Sequence, residues 1–222
     1  VKADAYGHGA VAVARLLESE GADYLAVSCL DEAMELRANG VSMPVLILGH
    51  TPKEQVGRLI EHHITQAVTC KAKALEYSHE ATALGGTLKI HIKVDTGMSR
   101  LGFLCGGDHF ETGVAGICAA CTLPGLEAEG IFTHFAVSDE TDAESDAYTR
   151  RQFDLFCRVI RAVEEKRGRR FPLRHCANTG ATACYPEMHL DMVRPGIILY
   201  GIAPCKNERI PLRPAMRLKT VV

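Results

Sequence analysis

Short apolar runs recur along the chain and alternate with longer segments of helical periodicity. In the segment at 9–21, apolar residues recur at helical spacing, and the segment at 30–40 ends on Gly40, where a helix commonly stops. Alternation of this kind predicts βαβ units and a parallel sheet. The runs that resemble buried strands are residues 23–28, 44–49, 64–69, 89–95, 130–135, 173–178 and 191–196.

The regular spacing of the predicted strands favours a closed barrel. The first strand ends fall 20 to 26 residues apart, at Lys2, Ser28, Gly49, Thr69 and Asp95. If Val1 and Lys2 are the end of one more strand, the strand count is eight. An α/β fold of the (β/α)8 TIM-like barrel type fits this count better than an open doubly wound sheet. We therefore expect the chain to begin within a longer protein.

The C-terminal segment differs from the rest of the chain. RIPLRPAMRLKTVV (209–222) contains two prolines, is basic, and ends with Met216, Leu218 and Val221 alternating with other residues. This pattern is typical of a linker that enters a strand. We expect a barrel domain over 1–208 and, over 209–222, a linker and the first strand of a C-terminal β domain that continues beyond Val222.

Composition and charge indicate a globular protein with a small-molecule partner. Hydrophobic residues make up 47% of the chain and charged residues 23%, with a formal net charge of −2, which argues against disorder. The densest basic run, at 166–170, lies at an expected helix end, where cations are favourable, so we do not expect nucleic-acid binding. No apolar run reaches membrane-spanning length, so we expect no membrane association.

The cysteines predict reduced thiols. Nine cysteines at irregular spacing argue against a disulfide framework and favour a cytoplasmic location. Cys118 and Cys121 form a CxxC pair, but a single pair is weak evidence for zinc. Packing against a helix core is the better interpretation, and we expect no metal site.

Polar residues lie at the carboxyl ends of the predicted strands, where barrel enzymes build their active sites. A lysine in this position is costly unless its ammonium is solvated, paired or neutralised by reaction, for example as a Schiff base. A lysine that extends to solvent is the alternative interpretation. The residues concerned are Lys2, Asp95, His134, Asn178, Thr179 and Arg194.

Five sequence blocks resemble the barrel domain of the alanine racemases, which are pyridoxal-phosphate enzymes of fold type III. They occur in the family's order across nearly the whole chain. The resemblance implies a homodimer with shared active sites that interconverts L-alanine and D-alanine, supplying D-alanine for peptidoglycan. The blocks are VKADAYGHG (1–9), KVDTGMSRLGF (93–103), GIFTHFAVSDE (130–140), HCANTGAT (175–182) and MVRPGIILYGIAP (192–204).

The resemblance assigns cofactor-binding roles. Lys2 would hold the cofactor covalently and act as one of two acid/base groups. Tyr6 would hydrogen-bond the phosphate, although an aromatic cap on the barrel mouth is an alternative. Thr179 stands where the family usually has serine, and it could instead be a helix cap. Gly196, which could also be a simple turn glycine, would donate a main-chain N–H with Ile197. The resemblance also assigns Asn178 and Tyr200 to cofactor binding.

Four further residues would tune the chemistry. Arg194 would face the pyridine nitrogen and keep it unprotonated, which weakens the electron sink and limits side reactions; a surface pair with Asp191 is the alternative. His134 would hydrogen-bond Arg194, or be an ordinary core histidine. Arg100 would help to position the substrate carboxylate. Lys93 corresponds to a position carbamylated in some members, and a salt bridge with Asp95 is equally open.

Racemisation needs proton transfer on both faces of Cα, and Lys2 serves only one. Tyr6 lies on the same turn as Lys2 and is poorly placed for the opposite face. In the family, the second group is a tyrosine of the partner subunit's C-terminal domain, outside these 222 residues. A serine or broad-spectrum racemase and a non-catalytic pyridoxal-phosphate-binding barrel protein remain alternatives. A barrel decarboxylase or aldolase has no support in these blocks.

Overall fold

The computed structural model describes residues 1–204, 210–217 and 219. The strands are β1 (Leu25–Val27), β2 (Val45–Ile47), β3 (Ile64–Val68), β4 (Leu88–Asp95), β5 (Phe103–Leu104), β6 (Leu126–Phe132) and β7 (Leu173–His175). The helices are α1 (Lys2–Gly7), α2 (Ala10–Ser19), α3 (Leu30–Ala38), α4 (Val56–Glu61), α5 (Lys71–Ala83), α6 (Phe110–Cys121), α7 (Ala143–Arg167) and α8 (Thr179–Cys184). Short 3-10 turns occupy Lys53–Gln55, Gly107–His109, Pro186–Met188 and Ile197–Tyr200.

One parallel sheet organises the fold, as the alternating pattern predicts. Its strand order is β1-β2-β3-β4-β6-β7, and the short β5 pairs with β4. Because these neighbouring strands are all parallel, their carboxyl ends share one edge of the sheet. The predicted polar side chains are thereby brought to the same edge.

The inner and outer faces of the sheet differ in chemistry. Alternate residues such as Ile90 and Ile92 point outward and pack with the helices in the main hydrophobic core. A much smaller apolar cluster, built on Leu46, Ala67 and Phe132, lies apart from that core. Buried polar side chains accompany this small cluster, and hydrogen bonds between them are required because burial removes their water.

Six of the seven predicted strands are present, and the seventh is wrong. Residues 191–196 follow β7 through only two backbone hydrogen bonds, from Asp191 to Arg174 O (3.1 Å) and from Arg194 to Ala177 O (2.9 Å). Pro195 has no N–H to extend the ladder. The 130–135 run belongs to a strand that starts earlier and ends at Phe132, and the two-residue β5 had no sequence signal.

The start of the chain lies beside β1, but Lys2 does not end a strand. The amino group of Val1 donates to the carbonyl of Ala26 over 3.0 Å. Lys2 then opens α1, where residues 3–6 adopt left-handed backbone angles. A cavity of about 700 Å³ separates Val1 and β1 from residues 189–195. The described residues therefore form a half-barrel whose two edges do not meet.

Other sequence predictions fall on defined elements. Cys118 and Cys121 lie on α6 and pack against the core, which confirms the packing interpretation. The basic run at 166–170 spans the end of α7 and contains the left-handed Gly168 that follows the helix. The eight described cysteines are free thiols. In the part of the chain that the structure describes, no helix is both long and apolar enough to cross a membrane.

The C-terminal segment is described only in part. Residues 210–217 have no assigned helix or strand, and Ala215 donates to the carbonyl of Tyr200 over 3.0 Å. Residues 205–209, 218 and 220–222 lie outside the described residues. The linker and β domain expected over 209–222 therefore stay a prediction.

Candidate active site

Lys2 is presented by a left-handed turn. Ala3, Asp4, Ala5 and Tyr6 all have φ between 51° and 54°, a region that costs a non-glycine residue about 1–2 kcal/mol. Hydrogen bonds from Ala5 to Val1 O (3.0 Å) and from Gly9 to Asp4 O (3.1 Å) hold the turn. Strained backbone of this kind is concentrated at functional sites.

Glu32 ties this turn to the sheet. Its Oε1 accepts from the backbone N–H of Ala3 (2.8 Å), and its Oε2 accepts from that of Ser28 at the end of β1 (2.6 Å). The turn is therefore held at a fixed place on the carboxyl edge. The Lys2 side chain is half-buried and makes no hydrogen bond or ion pair with another described residue, and its Nζ lies 5.0 Å from the centroid of the Tyr6 ring.

Tyr6 stands on an aromatic platform. Its ring packs edge-on against Tyr200 at a centroid distance of 5.6 Å, and Tyr200 stacks on His8 at 4.3 Å. Tyr200 is 4% exposed, whereas Tyr6 is 44% exposed. Tyr6 therefore packs against another aromatic ring and is also partly open to solvent, so both interpretations of this residue remain compatible. The ring of Tyr200 supports Tyr6 from below.

Two hydroxyls and a glycine form a small cradle. A Cβ placed on Gly196 would lie 3.4 Å from Thr179 Oγ1 and 3.5 Å from Tyr6 Oη, so glycine keeps this space open. The N–H of Gly196 donates to Thr179 Oγ1 over 2.7 Å. The chain then turns into the short 3-10 segment that starts at Ile197. The Thr179 and Tyr6 hydroxyls border this space, whereas the Gly196 N–H is engaged by Thr179, so its donation to a phosphate stays a prediction.

Asn178, and not Thr179, caps α8. The Asn178 side-chain oxygen accepts from the N–H of Ala181 (3.1 Å) and from the Ser138 hydroxyl (2.6 Å). The alternative interpretation of Thr179 as a helix cap is therefore wrong. Because its oxygen is engaged in this way, Asn178 holds the start of α8 in place. Direct cofactor contact by Asn178 stays a prediction.

Arg194 is the most heavily hydrogen-bonded side chain of the site. Its Nη1 donates to His175 Nδ1 (2.6 Å), and its Nη2 donates to the carbonyl of Thr133 (2.8 Å) and to His134 Nδ1 (3.3 Å). Burial lowers the pKa of Arg194 to about 10, so it remains a cation at neutral pH. The alternative pairing with Asp191 is wrong, because Asp191 pairs with Arg174 at 2.6 Å.

Burial and neighbouring cations lower the pKa of both His134 and Lys93. Burial, followed by the charges of Arg194 and Lys93, lowers the pKa of His134 to about 3. Burial, followed by the charges of Arg100 and Arg194, lowers the pKa of Lys93 to about 8. His134 is therefore an uncharged acceptor, and a substantial fraction of Lys93 is uncharged near pH 8.

Lys93 and Asp95 do not form the alternative salt bridge. The Asp95 carboxylate instead accepts from the backbone N–H groups of Gly97 (2.9 Å) and Ser99 (3.0 Å), which fixes the loop that carries Arg100. Arg100 is exposed, and among the described residues it makes no hydrogen bond or ion pair. Its guanidinium is thus available at the mouth of the site.

The family model for the alanine racemase N-terminal domain matches residues 1–204. The chain belongs to this family. It is 46% identical over 222 residues to the alanine racemase of Desulforamulus reducens, a match that covers 99% of this chain and 58% of that protein. It is 47% identical over 221 residues to the alanine racemase of Desulfovibrio desulfuricans, covering 99% and 57%.

Solved alanine racemases share the fold. The alanine racemase of Clostridium difficile, solved in complex with cycloserine, matches with a TM-score of 0.89 at 40% identity, covering 97% of this chain and 58% of that one. The enzyme from D-cycloserine-producing Streptomyces lavendulae matches with a TM-score of 0.85 at 36% identity, covering 97% and 56%. These likenesses confirm the TIM-like α/β class. The chain spans less than three fifths of the length of these relatives.

Sequence reasoning on this alanine racemase domain missed the interior partners of Arg194. His175 and His91 are fully buried on β7 and β4, and Glu129 lies on β6. A histidine within an apolar strand run, as in KIHIKVD, is the signal that could have revealed them. A buried imidazole requires a hydrogen-bond partner, but only the fold shows which one.

Proposed function

We propose that this chain is the pyridoxal-phosphate-binding barrel of an alanine racemase that interconverts L-alanine and D-alanine and supplies D-alanine for peptidoglycan. The observation that carries the proposal is the position of Lys2, whose amine makes no hydrogen bond or ion pair with a described residue. Its Nζ lies 5.0 Å from the centroid of the Tyr6 ring, whose hydroxyl borders the open space at Gly196. Its charge also acts on His134, which contacts Arg194. The alanine racemase relatives supply the substrate class.

The residues present fit this cofactor at three points. The amine of Lys2 suits an aldehyde, and the hydroxyls of Tyr6 and Thr179 suit a phosphate, since the glycine between them leaves the space open. Arg194 suits a ring nitrogen with a lone pair, because a guanidinium can only donate. When bound, pyridoxal phosphate supplies an electron sink beside the substrate Cα, which acidifies the C–H bond.

Four side chains of this barrel would have distinct roles in the reaction. The Lys2 amine would take or return the proton at Cα on one face. Arg194 remains protonated at neutral pH and can only donate, so it would hold the ring nitrogen in its unprotonated form and thereby limit proton exchange at other atoms. His134 is neutral and accepts from Arg194, so it orients the guanidinium. Arg100 attracts the substrate carboxylate.

Proton exchange on the second face needs another group. Tyr6 lies four residues from Lys2 on one turn and is supported from below by Tyr200, so it serves the same side of the site. We assign the second role to a tyrosine of the partner subunit in a homodimer with shared sites. The isolated 222-residue chain should therefore bind the cofactor but racemise alanine at least about 100-fold more slowly than the full-length protein.

Lys93 is a candidate for carbamylation. Its lowered pKa, about 8, provides the uncharged amine that adds carbon dioxide, and the product carbamate would be an anion beside Arg100 and Arg194. A carbamate would thus relieve the repulsion among these three groups. NMR of the protein in ¹³C-labelled bicarbonate tests this, since a carbamate carbon should appear in the wild type and be missing from Lys93→Met.

The decisive experiment is chemical trapping at Lys2. Borohydride should bleach the visible absorbance of the cofactor-loaded, full-length protein and leave the pyridoxyl mass on the peptide that contains Lys2. Lys2→Ala should show no label, whereas the exposed Lys71→Ala should be labelled like the wild type. Label on another lysine would contradict the proposal.

Assays of D/L interconversion with alanine and serine then separate alanine, serine and broad-spectrum activity. Trapping of the cofactor without any interconversion would indicate a non-catalytic carrier. A cytoplasmic location, which the free thiols support, is part of the proposal.

A further inference from the structure

A row of four side chains runs from the active site into the barrel interior. Arg194 Nη1 lies 2.6 Å from His175 Nδ1, and His175 Nε2 lies 2.9 Å from His91 Nδ1. The row ends where His91 Nε2 lies 3.4 Å from Glu129 Oε2. Three of the strands contribute one member each, so the row depends on the folded sheet.

The direction of every hydrogen bond in this row follows from its first member. A guanidinium has no acceptor, so His175 Nδ1 must accept and its proton must sit on Nε2. His175 therefore donates to His91 Nδ1, which leaves the His91 proton on Nε2, facing Glu129. Only this pair of tautomers satisfies all three contacts with two neutral imidazoles.

The far end of the row is a fixed anion. Glu129 also accepts from Lys89 Nζ (2.9 Å) and from the Tyr24 hydroxyl (3.0 Å). Hydrogen bonds from His91, Lys89 and Tyr24 lower the pKa of Glu129 to about 2, against the opposing effect of burial. Burial lowers the pKa of both His91 and His175, which agrees with two neutral rings.

Packing leaves the two imidazoles little freedom. His175 stacks on Phe132 with a centroid distance of 4.9 Å and an interplanar angle of 3°. His91 lies against Gly130, where an added Cβ would come within 2.7 Å of the ring, so glycine is required for this approach. Both imidazoles are completely buried.

We propose that His91 and Glu129 are positioning residues that fix the tautomer of His175 and thereby hold the Arg194 guanidinium in the orientation that the cofactor ring requires. The part of this inference that concerns the cofactor rests on the proposed function. The tautomer assignment does not, since it concerns side chains of this chain alone.

Replacing His91 should change the orientation of the Arg194 side chain, because His175 lies between them. Without the acceptor at His91 Nδ1, the buried His175 Nε2–H would have no partner, which is costly. Moving that proton to Nδ1 would place two donors opposite each other and displace Arg194. A glutamine at position 91 can accept from His175 through its oxygen and donate to Glu129 through its nitrogen, so His91→Gln should restore the row.

The test combines NMR with cofactor titration on the full-length protein. In cofactor-free, ¹⁵N-histidine-labelled wild type, we expect His175 to be neutral with its proton on Nε2. His91→Phe should change that signal and raise the Kd for pyridoxal phosphate by about tenfold, and His91→Gln should restore both to within about threefold. The control Phe156→Leu, in the outer core, should lower stability and leave both readouts unchanged.

Two results would overturn the proposal. A proton on Nδ1 of His175 in the wild type does so whether or not any variant folds. Equal losses of cofactor affinity in His91→Phe and His91→Gln, with an unchanged His175 signal, would also do so. If His175 has the expected tautomer but pyridoxal phosphate fails to bind the wild type, the proposed function is wrong and the tautomer assignment stands.

Discussion

Arg194 and His134 share a hydrogen bond of 3.3 Å although they are 60 residues apart in sequence. The bond joins a permanent cation to a histidine whose pKa lies at about 3, so it is a cation-to-neutral contact at every pH at which the protein is expected to work. The guanidinium also reaches His175 and the Thr133 carbonyl. Three acceptors in three directions require the planar fork of arginine.

Replacing Arg194 by lysine should therefore destabilise the protein. A lysine cannot reach all of these acceptors together, and one or two buried acceptors would lose a charged donor, at a cost of about 2–3 kcal/mol. Urea denaturation of the full-length protein measures the change. Arg15→Lys, at an exposed arginine that donates to the Asn39 carbonyl, should stay within about 0.5 kcal/mol. Equal effects of the two substitutions would contradict this account.

The open cradle at Gly196 predicts a specific loss of cofactor affinity. In Gly196→Ala, the methyl group would occupy the space between the Thr179 and Tyr6 hydroxyls and should raise the Kd for pyridoxal phosphate about tenfold, or about 1.4 kcal/mol. Gly106→Ala is the matched control, because its φ is −80° and an added Cβ would meet no atom within 4 Å. Fluorescence titration of the cofactor-free protein compares them, and unchanged affinity in Gly196→Ala would count against a phosphate at this position.

The left-handed turn predicts that two alanine-to-glycine substitutions have opposite signs. Ala3 is exposed with φ 54°, so Ala3→Gly should relieve strain and stabilise the protein by about 0.5–1 kcal/mol. Ala12 is exposed in the right-handed helix α2, and Ala12→Gly should destabilise by a similar amount. Unfolding free energies measured in urea decide the signs. Destabilisation in both variants would show that the turn is not left-handed in solution.

The lowered pKa of Lys93 predicts a rise in stability with pH. The pKa falls from 10.5 in the unfolded chain to about 8 in the folded protein. Between these values the unfolded chain binds more protons, so the free energy of unfolding increases with pH in this window. The penalty is fully present well below pH 8 and amounts to roughly 3 kcal/mol.

Lys93→Met should remove this penalty. In carbonate-free buffer, the variant should be more stable than the wild type at pH 7, and the difference should shrink as the pH approaches 10.5. Denaturation curves of both proteins across this range give the comparison. A difference that is independent of pH would mean that Lys93 is not a depressed, buried amine.

Local patterns in the chain were sufficient for most of the secondary structure. The strand at 64–69 and the helix at 30–40 lie where the apolar periodicity placed them, because a parallel sheet buried on both faces needs near-continuous apolar runs. The run at 191–196 misled the same reasoning. Its apolar residues lie beside β7, but Pro195 has no N–H and prevents a full hydrogen-bond ladder. Whether a run forms a strand depends on which backbone groups come together in the fold.

By itself, the sequence determined the parallel α/β class and the polar carboxyl edge of the sheet, because strand periodicity is a local property. Only the tertiary structure decided that Lys2 sits on a left-handed turn and that Asn178 caps α8 in place of Thr179. It alone joined Arg194 to His175, His91 and Glu129. The physical reason is that a buried polar group must find a partner, and in this half-barrel those partners come from distant strands.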